Sequence, residues 1–199
     1  MAAGPDLGSL LWPRTTARAT LRPMTLDDVD AVLGFRGRSD VTRWLSHEAM
    51  TREEVVDRVA DRVERGRPGA ERPLLALAVE CGGVVVGDAM LRLDRCGSIT
   101  RAAATEWEGT IGYVLHPEVQ GRGLAGEVAR GLLEIAFEDL GLRRVLADAY
   151  VDNVASCRVL AGVGMRHEGT RRRAWLGKDD RWLDLNLYAL LHDEWVDER

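Results

Sequence analysis

The sequence predicts an α+β protein built on a single mixed, mainly antiparallel sheet with helices on both faces. Three observations carry this expectation. Strand-like and helix-like segments follow one another in the order β-α-α-β-β-β-α-β-α-β-β. The two β-rich runs around Gly82-Gly83 read as a tight antiparallel hairpin. The nearly continuous apolar run 143–151 reads as a buried central strand. The chain of 199 residues is long enough for one domain with a substantial core.

Residues 1–18 read as a loosely attached N-terminal arm, ahead of one domain spanning 19–199. The first strand is expected at 19–24. Thr25-Leu26-Asp27-Asp28 then starts a helix: Thr25 can cap it, and the two acids favour its positive end. Thr51 with Glu54 three residues on is a capping box, and Val55, Val56, Val59 and Val63 follow at helical spacing. Strands at 74–80 and 84–93 flank the Gly82-Gly83 turn, and 96–104 reads as a loop. A further strand covers 106–115 and stops at His116-Pro117. The clearest helix spans 124–140, where Leu124, Val128, Leu132 and Ile135 form an apolar stripe. After the 143–151 strand, a short helix covers 154–161. Runs 166–176 and 181–191 close the sheet as an antiparallel pair.

Composition narrows the partners. The net charge of −5 offers no broad basic field to nucleic acid or an anionic membrane. The three cysteines, Cys81, Cys96 and Cys157, lack C-x-x-C spacing, which argues against both a disulfide framework and a metal site. A reduced, cytoplasmic setting fits this pattern. The N-terminus shows no signal-peptide pattern, and Leu10-Leu11-Trp12 is too short to span a bilayer. Lys178 is the only lysine, as expected from a GC-rich coding bias. In a chain so sparing with amides, the single glutamine, Gln120, and one of two asparagines, Asn153, both fall inside motifs.

The first motif is Gln120-Gly121-Arg122-Gly123-Leu124-Ala125-Gly126, between a strand and a helix. The leading N–H groups of a helix have no internal partner, and the helix dipole favours negative charge there. Gly121 and Gly123 let backbone approach an anion, and Arg122 can add a charge-assisted contact to phosphate. No Gly-Lys-Ser/Thr follows, so the turn is not a P-loop. Gly121-x-Gly123-x-x-Gly126 matches a dinucleotide fingerprint formally, but the antiparallel strands before it argue against a βαβ start.

Gln120-x-x-Gly123-x-Ala125 resembles the Q/R-x-x-G-x-G/A signature of the GNAT superfamily of N-acetyltransferases. The preceding Ile111-Gly112-Tyr113-Val114-Leu115-His116-Pro117 is similar to the branch that includes the ribosomal-protein acetyltransferases RimJ and RimL. So are the block from Asn153 through Ser156 to Leu160, the Gly164-Met165 pair, and the late Leu187-Tyr188 run with Glu194-Trp195. The resemblance covers roughly residues 18–196. It implies an acyl-CoA-dependent N-acyltransferase without a metal, with acetyl-CoA as donor substrate. The backbone of Gly121 to Gly126 would hold the pyrophosphate. The strand at Val114 and Leu115 would splay from its neighbour near 149–151 to admit pantetheine. Asn153 would bond the pantetheine, and Ser156 would lie near the sulfur. Asn153 also sits where a helix N-cap is needed, and the two roles are compatible.

Direct attack needs the amine as its free base, so a carboxylate is expected nearby. Glu108 shares a strand face with Thr110, Gly112 and Val114 and is the candidate base, with Glu106 in reserve. A backbone N–H near Leu115 would stabilise the oxyanion. Ser156 is the candidate proton donor to the leaving thiolate, with Tyr150 as a rival. Trp175 stands where the RimL-like branch carries a carboxylate, so that mechanism does not transfer whole. Trp44, His47, Trp107 and Trp175 are candidates to line the acceptor pocket. The acceptor is expected to be a protein N-terminus or a small-molecule amine, and a homodimer is a family expectation. A larger donor such as succinyl-CoA, or a non-catalytic acyl-CoA sensor, are the alternatives.

Overall fold

The computed structural model describes residues 5–99 and 106–197. Among the described residues the sheet has eight strands in the order β1-β2-β3-β4-β5-β6-β8-β7. These are β1 (Arg14–Thr15), β2 (Thr20–Pro23), β3 (Leu74–Cys81), β4 (Val84–Arg95), β5 (Trp107–Leu115), β6 (Arg144–Tyr150), β7 (Arg166–Leu176) and β8 (Trp182–Leu191). The helices are α1 (Val29–Arg36), α2 (Ser39–Thr42), α3 (Arg52–Arg65), α4 (Leu124–Glu134), α5 (Val154–Gly162) and α6 (His192–Asp197). Only β5 and β6 pair in parallel; every other neighbouring pair is antiparallel. The mixed, mainly antiparallel α+β expectation therefore holds.

Alternation along the strands divides two cores. Leu77, Val79, Ala89, Leu91, Ile111, Val145, Ala147 and Ala149 face α4 and α5, where Val128, Leu132 and Leu160 meet them. On the opposite face Ala76, Met90 and Val114 meet Val32 and Phe35 of α1 and Val55 and Val59 of α3. The capping box at Thr51 and Glu54 forms as expected, with the Glu54 N–H donating to Thr51 Oγ1 at 3.3 Å.

Three features depart from the expectation. Residues 5–18 are not a loose arm: Leu7 and Leu10 are buried in the main core, and Arg14 and Thr15 pair with Leu21 and Thr20. The helix expected over 124–140 is α-helical only to Glu134 and continues as a π turn, Ile135–Asp139. The wider turn lets Ile135, Ala136 and Phe137 all be buried, and Phe137 stacks on Trp195 of α6 at 5.7 Å. The short elements β1, α2 and α6 carry too few residues to show a period. The expected loop at 96–104 lies partly outside the described residues.

At the β4–β5 boundary, Gly87 lies beside Leu115. A Cβ there would collide with Val114 O and meet Leu115 Cδ2 at 2.6 Å. Gly87→Ala should therefore lower the unfolding free energy by about 1–3 kcal/mol, the usual cost of overpacking, as read by urea titration.

Candidate active site

Strand β5 is held along its whole length by β4, from Gly87↔Leu115 to Arg95↔Trp107. Its other edge is bonded to β6 only at Gly109↔Val145 and Thr110↔Leu146. Beyond that point β6 continues against β8, out to Tyr150↔Leu185. The two central strands thus part after Thr110 and Leu146, as expected from the resemblance. Between 111–115 and 147–150 the facing backbone edges bound a slot. An extended chain carrying amides can bond to such edges as an added strand does.

The mouth of the slot is fixed by the turn that follows β5. The His116 N–H donates to Val86 O at 2.7 Å. The Gln120 Nε2 donates to Leu115 O at 2.7 Å, so this side chain ties the turn back to the strand end. Gly121 and Gly123 hold φ of 71° and 81°, where a side chain is strained. Gly123 caps α4 and supplies no side-chain bond to the first turn. The N–H groups of Leu124 and Ala125 make no hydrogen bond to a described residue, while those of Gly126 and Glu127 reach Gly123 O at 3.1 and 3.4 Å. Open space lies where a Cβ of Gly121 or Gly126 would stand. Free N–H groups, a positive helix end and bare backbone together fit a phosphate.

Sequence reasoning missed the residue that braces this turn. Arg18 donates from Nη1 to Arg122 O and from Nε to Glu127 Oε1, the latter at 2.6 Å. Glu127 also accepts from Thr16 Oγ1 at 2.8 Å and from the Arg18 N–H at 3.0 Å. Its charge, set in the first turn of α4, is thereby matched by Arg18. Nothing in the sequence joins Arg18 to a turn so distant in the chain. The Arg122 side chain is exposed, and its carbonyl, not its guanidinium, enters this arrangement.

On the α4–α5 side, Asn153 Oδ1 accepts the Ser156 N–H at 3.3 Å, which is the N-cap role. Ser156 Oγ lies 3.1 Å from Tyr113 Oη, so a hydroxyl pair joins α5 to β5. Burial pushes the Tyr113 phenol above its ordinary value, against the Ser156 hydrogen bond.

The α1–α3 side carries the other groups. Glu108 is on the expected face, but at the closed end beside the β5–β6 pairing. Six residues of strand, or ~20 Å, separate it from Val114. Glu106 is exposed and lies 3.6 Å from Arg143. Asp148, unremarked as a base in the sequence, extends the parallel register to the level of Gly112, across the slot. It makes no hydrogen bond or ion pair among the described residues. Its side chain reaches solvent, yet desolvation holds its carboxyl above the ordinary range, against the pull of Arg171 and Arg92.

Tyr150, two residues on, lies 6.0 Å from the Trp44 ring. Trp44 in turn carries Arg43 at 4.7 Å over its face. The β7–β8 hairpin closes over this region through Lys178, whose Nζ donates to Thr42 O at 2.8 Å and His47 O at 2.5 Å. Of the expected pocket aromatics, Trp107 is a correction. It packs with the α4–α5 core on the opposite sheet face, under Arg95 at 4.6 Å. Trp175 is half exposed and pairs with Leu183. Among the described residues no helix is long and apolar enough to cross a membrane, and no cluster of His, Cys, Asp and Glu suits a metal ion.

Residues 18–166 match the model of the acetyltransferase (GNAT) domain family. An uncharacterized N-acetyltransferase, YnaD of Bacillus subtilis, is 28% identical over 181 residues, covering 91% of this chain and 98% of the relative. Two solved structures share the fold. Mycobacterium smegmatis RimJ, in complex with CoA-disulfide, superposes with a TM-score of 0.70 at 24% identity, over 88% of this chain and 83% of that one. Vibrio cholerae spermidine N-acetyltransferase, in complex with CoA and spermine, gives 0.74 at 17% identity, over 91% and 99%.

Glycine substitutions in the turn should act with opposite signs. Gly123→Ala forces a side chain into left-handed backbone, and its Cβ would meet Arg18 Nη2 at 3.1 Å. It should cost about 1–2 kcal/mol of stability. Gly126→Ala sits in helical backbone facing open space and should gain about 0.5–1 kcal/mol. Thermal unfolding of the two variants checks the difference.

Proposed function

The chain belongs to the GNAT acetyltransferase family, and from that premise we propose that it transfers an acetyl group from acetyl-CoA to a primary amine by direct attack. The observation that carries the proposal is the parting of β5 from β6 beside an unsatisfied helix start. Gly121 to Gly126 hold the pyrophosphate, with Gln120 fixing the turn to Leu115. The freed edges at Val114 and Leu115 bond the pantetheine amides, and Asn153 adds its side-chain amide while capping α5.

A bound ammonium of ordinary pKa about 8 to 10.4 must lose a proton before it attacks. We assign that step to Asp148 rather than Glu108. Asp148 faces the slot from β6, has no partner among the described residues, and is held above the ordinary carboxylate range, which makes it a stronger proton acceptor than an ordinary aspartate. Positioning of both reactants between the strands supplies much of the acceleration. As the thioester C–S bond breaks, the thiolate takes a proton. Ser156 is the donor in this proposal, backed by the Tyr113 hydroxyl 3.1 Å away. Tyr150 lies with Trp44 and serves the acceptor side. The acceptor is a small-molecule amine or a protein N-terminus, the two kinds named by the spermidine N-acetyltransferase and by RimL, a ribosomal L7/L12 alpha-N-protein acetyltransferase of the same fold.

Release of free CoA thiol from acetyl-CoA, followed across a panel of amines, tests the activity. Absence of release with every amine despite CoA binding would remove it. Asp148→Asn should lower kcat by about 10²–10⁴-fold and leave CoA affinity intact. Glu108→Gln should leave turnover near wild type. The base works deprotonated, so kcat/KM should fall as pH drops through its raised pKa. That acid limb should lie above the ordinary aspartate value of about 3.9 and vanish in Asp148→Asn. The reverse outcome in the two variants would return the role to Glu108.

A further inference from the structure

Beside the slot, on the α1–α3 face, two arginines grip one carboxylate and a third stands near it. Asp88 is 1% exposed and pairs in register with Val114 on the neighbouring strand. Arg36 grips it with two bonds, Nε to Oδ2 at 2.5 Å and Nη2 to Oδ1 at 2.7 Å. Arg62 Nη1 lies 3.0 Å from the same Oδ1. Both guanidiniums are buried, at 3% and 7% side-chain exposure. Together they hold the Asp88 carboxyl far below the usual carboxylate range.

Arg58, from the next turn of α3, is the third. It is half-buried, and its Nε is shut from solvent without a hydrogen-bond partner. It makes no ion pair or hydrogen bond among the described residues. Desolvation first, then Arg36 and Arg62, push its guanidinium down to about 10, while Asp88 and Asp61 pull the other way. Asp61 is 62% exposed and is the nearer partner of Arg65, at 3.6 Å. His47 adds no negative charge. Its Nε2 stands 3.0 Å from Arg36 Nη1, and burial, with Arg58, Arg36 and Lys178, pushes the ring's pKa below its ordinary value against the Glu48 carbonyl.

One carboxylate facing three cations leaves an excess of positive charge. A guanidinium partly withdrawn from water, with its Nε buried and unpartnered among the described residues, is costly to keep. The acids nearby are already engaged, Asp88 by Arg36 and Arg62 and Asp61 by Arg65, and neither pairs directly with Arg58. An anion that arrives with a reactant removes the cost.

We propose that Arg58 heads an anion subsite that takes a carboxylate carried by one of the two reactants. It rests on the reading of the slot as the acyl-CoA site. The CoA phosphates belong to the turn at Gly121 to Gly126, at the other end of that reading. Asp88, beside which Arg58 stands, is one strand spacing of ~4.8 Å over from Val114, so the cluster lies on the side of the reacting end. A planar carboxylate suits the guanidinium fork. It has two possible sources. It is either the far end of a dicarboxylic acyl chain, as in succinyl-CoA, or an acidic group on the amine.

Two matched comparisons separate the sources. The first sets succinyl-CoA against acetyl-CoA. The second sets two C-terminally amidated peptides against each other, differing only in Glu or Gln at the N-terminus. Each is read by equilibrium binding, and by CoA release where turnover occurs, in wild type, Arg58→Gln and Arg58→Lys. The expected result is a preference of about tenfold or more for the carboxylated member of one pair. Arg58→Gln should erase that preference and leave the uncharged member unchanged, while Arg58→Lys keeps part of it. The pair that discriminates identifies the source. No preference in either pair, or a preference that survives Arg58→Gln, overturns the subsite. Intact acetyl transfer with no carboxylate preference removes the subsite alone. Loss of CoA binding by the wild type removes the slot reading as well.

Discussion

The organising constraint in this molecule is the broken pairing between its two central strands. Backbone groups in the middle of a sheet are normally satisfied by neighbours on both sides. Here β5 and β6 keep two register pairs, Gly109↔Val145 and Thr110↔Leu146, and then part. Such a break is tolerable only if each strand is held firmly on its far edge. The β4–β5 ladder and the β6–β8 ladder do this along their whole lengths. Gly87, with no room for a Cβ, lets β4 follow β5 to its last residue. The sheet is thus two well-paired halves hinged at a short parallel junction, with unsatisfied edges between them.

The helices around the opening serve its two faces differently. On one face α4 begins where β5 ends, so the positive end of the helix lies at the mouth of the slot. The Arg18–Glu127 pair locks that start to the beginning of β2. The Tyr113–Ser156 hydroxyl pair links the two walls on the same face. On the other face stand α1, α3 and the β7–β8 hairpin, with charges of both signs. Asp148 stands on one wall and the Asp88 cluster on the other. Lys178 clasps the hairpin to the segment bearing Trp44 and His47. In the proposed function one face handles the thioester's carrier, and the other selects and deprotonates the amine.

Much of this was legible in the sequence because it depends on local signals. The capping box at Thr51, the hairpin at Gly82-Gly83, the alternation of β5 and the glycines after Gln120 each act over a few residues. From them come the element order, the sheet class and the glycine turn that opens α4. What escaped depends on partners far apart in the chain. Leu7 and Leu10 look like an arm until the core they complete is known. Arg18 acquires its role from Glu127, and Asp148 becomes a base candidate only through the register of β6 against β5. Parity placed Glu108 on the right face but carried no information on where the strands part. Trp107 was misplaced because its own strand alternation put it opposite Glu108, a consequence of the same parity not followed through. The Arg58 cluster had no signal at all, since arginine is common throughout this chain.

The central claim is that the gap between β5 and β6 and the turn beyond it receive the CoA chain. Amide hydrogen exchange, with and without CoA, measures this most directly. Binding should slow exchange at amides in 111–115 and 121–126 and leave the β3–β4 hairpin unchanged. Tight binding of CoA with protection confined to other segments would contradict the account.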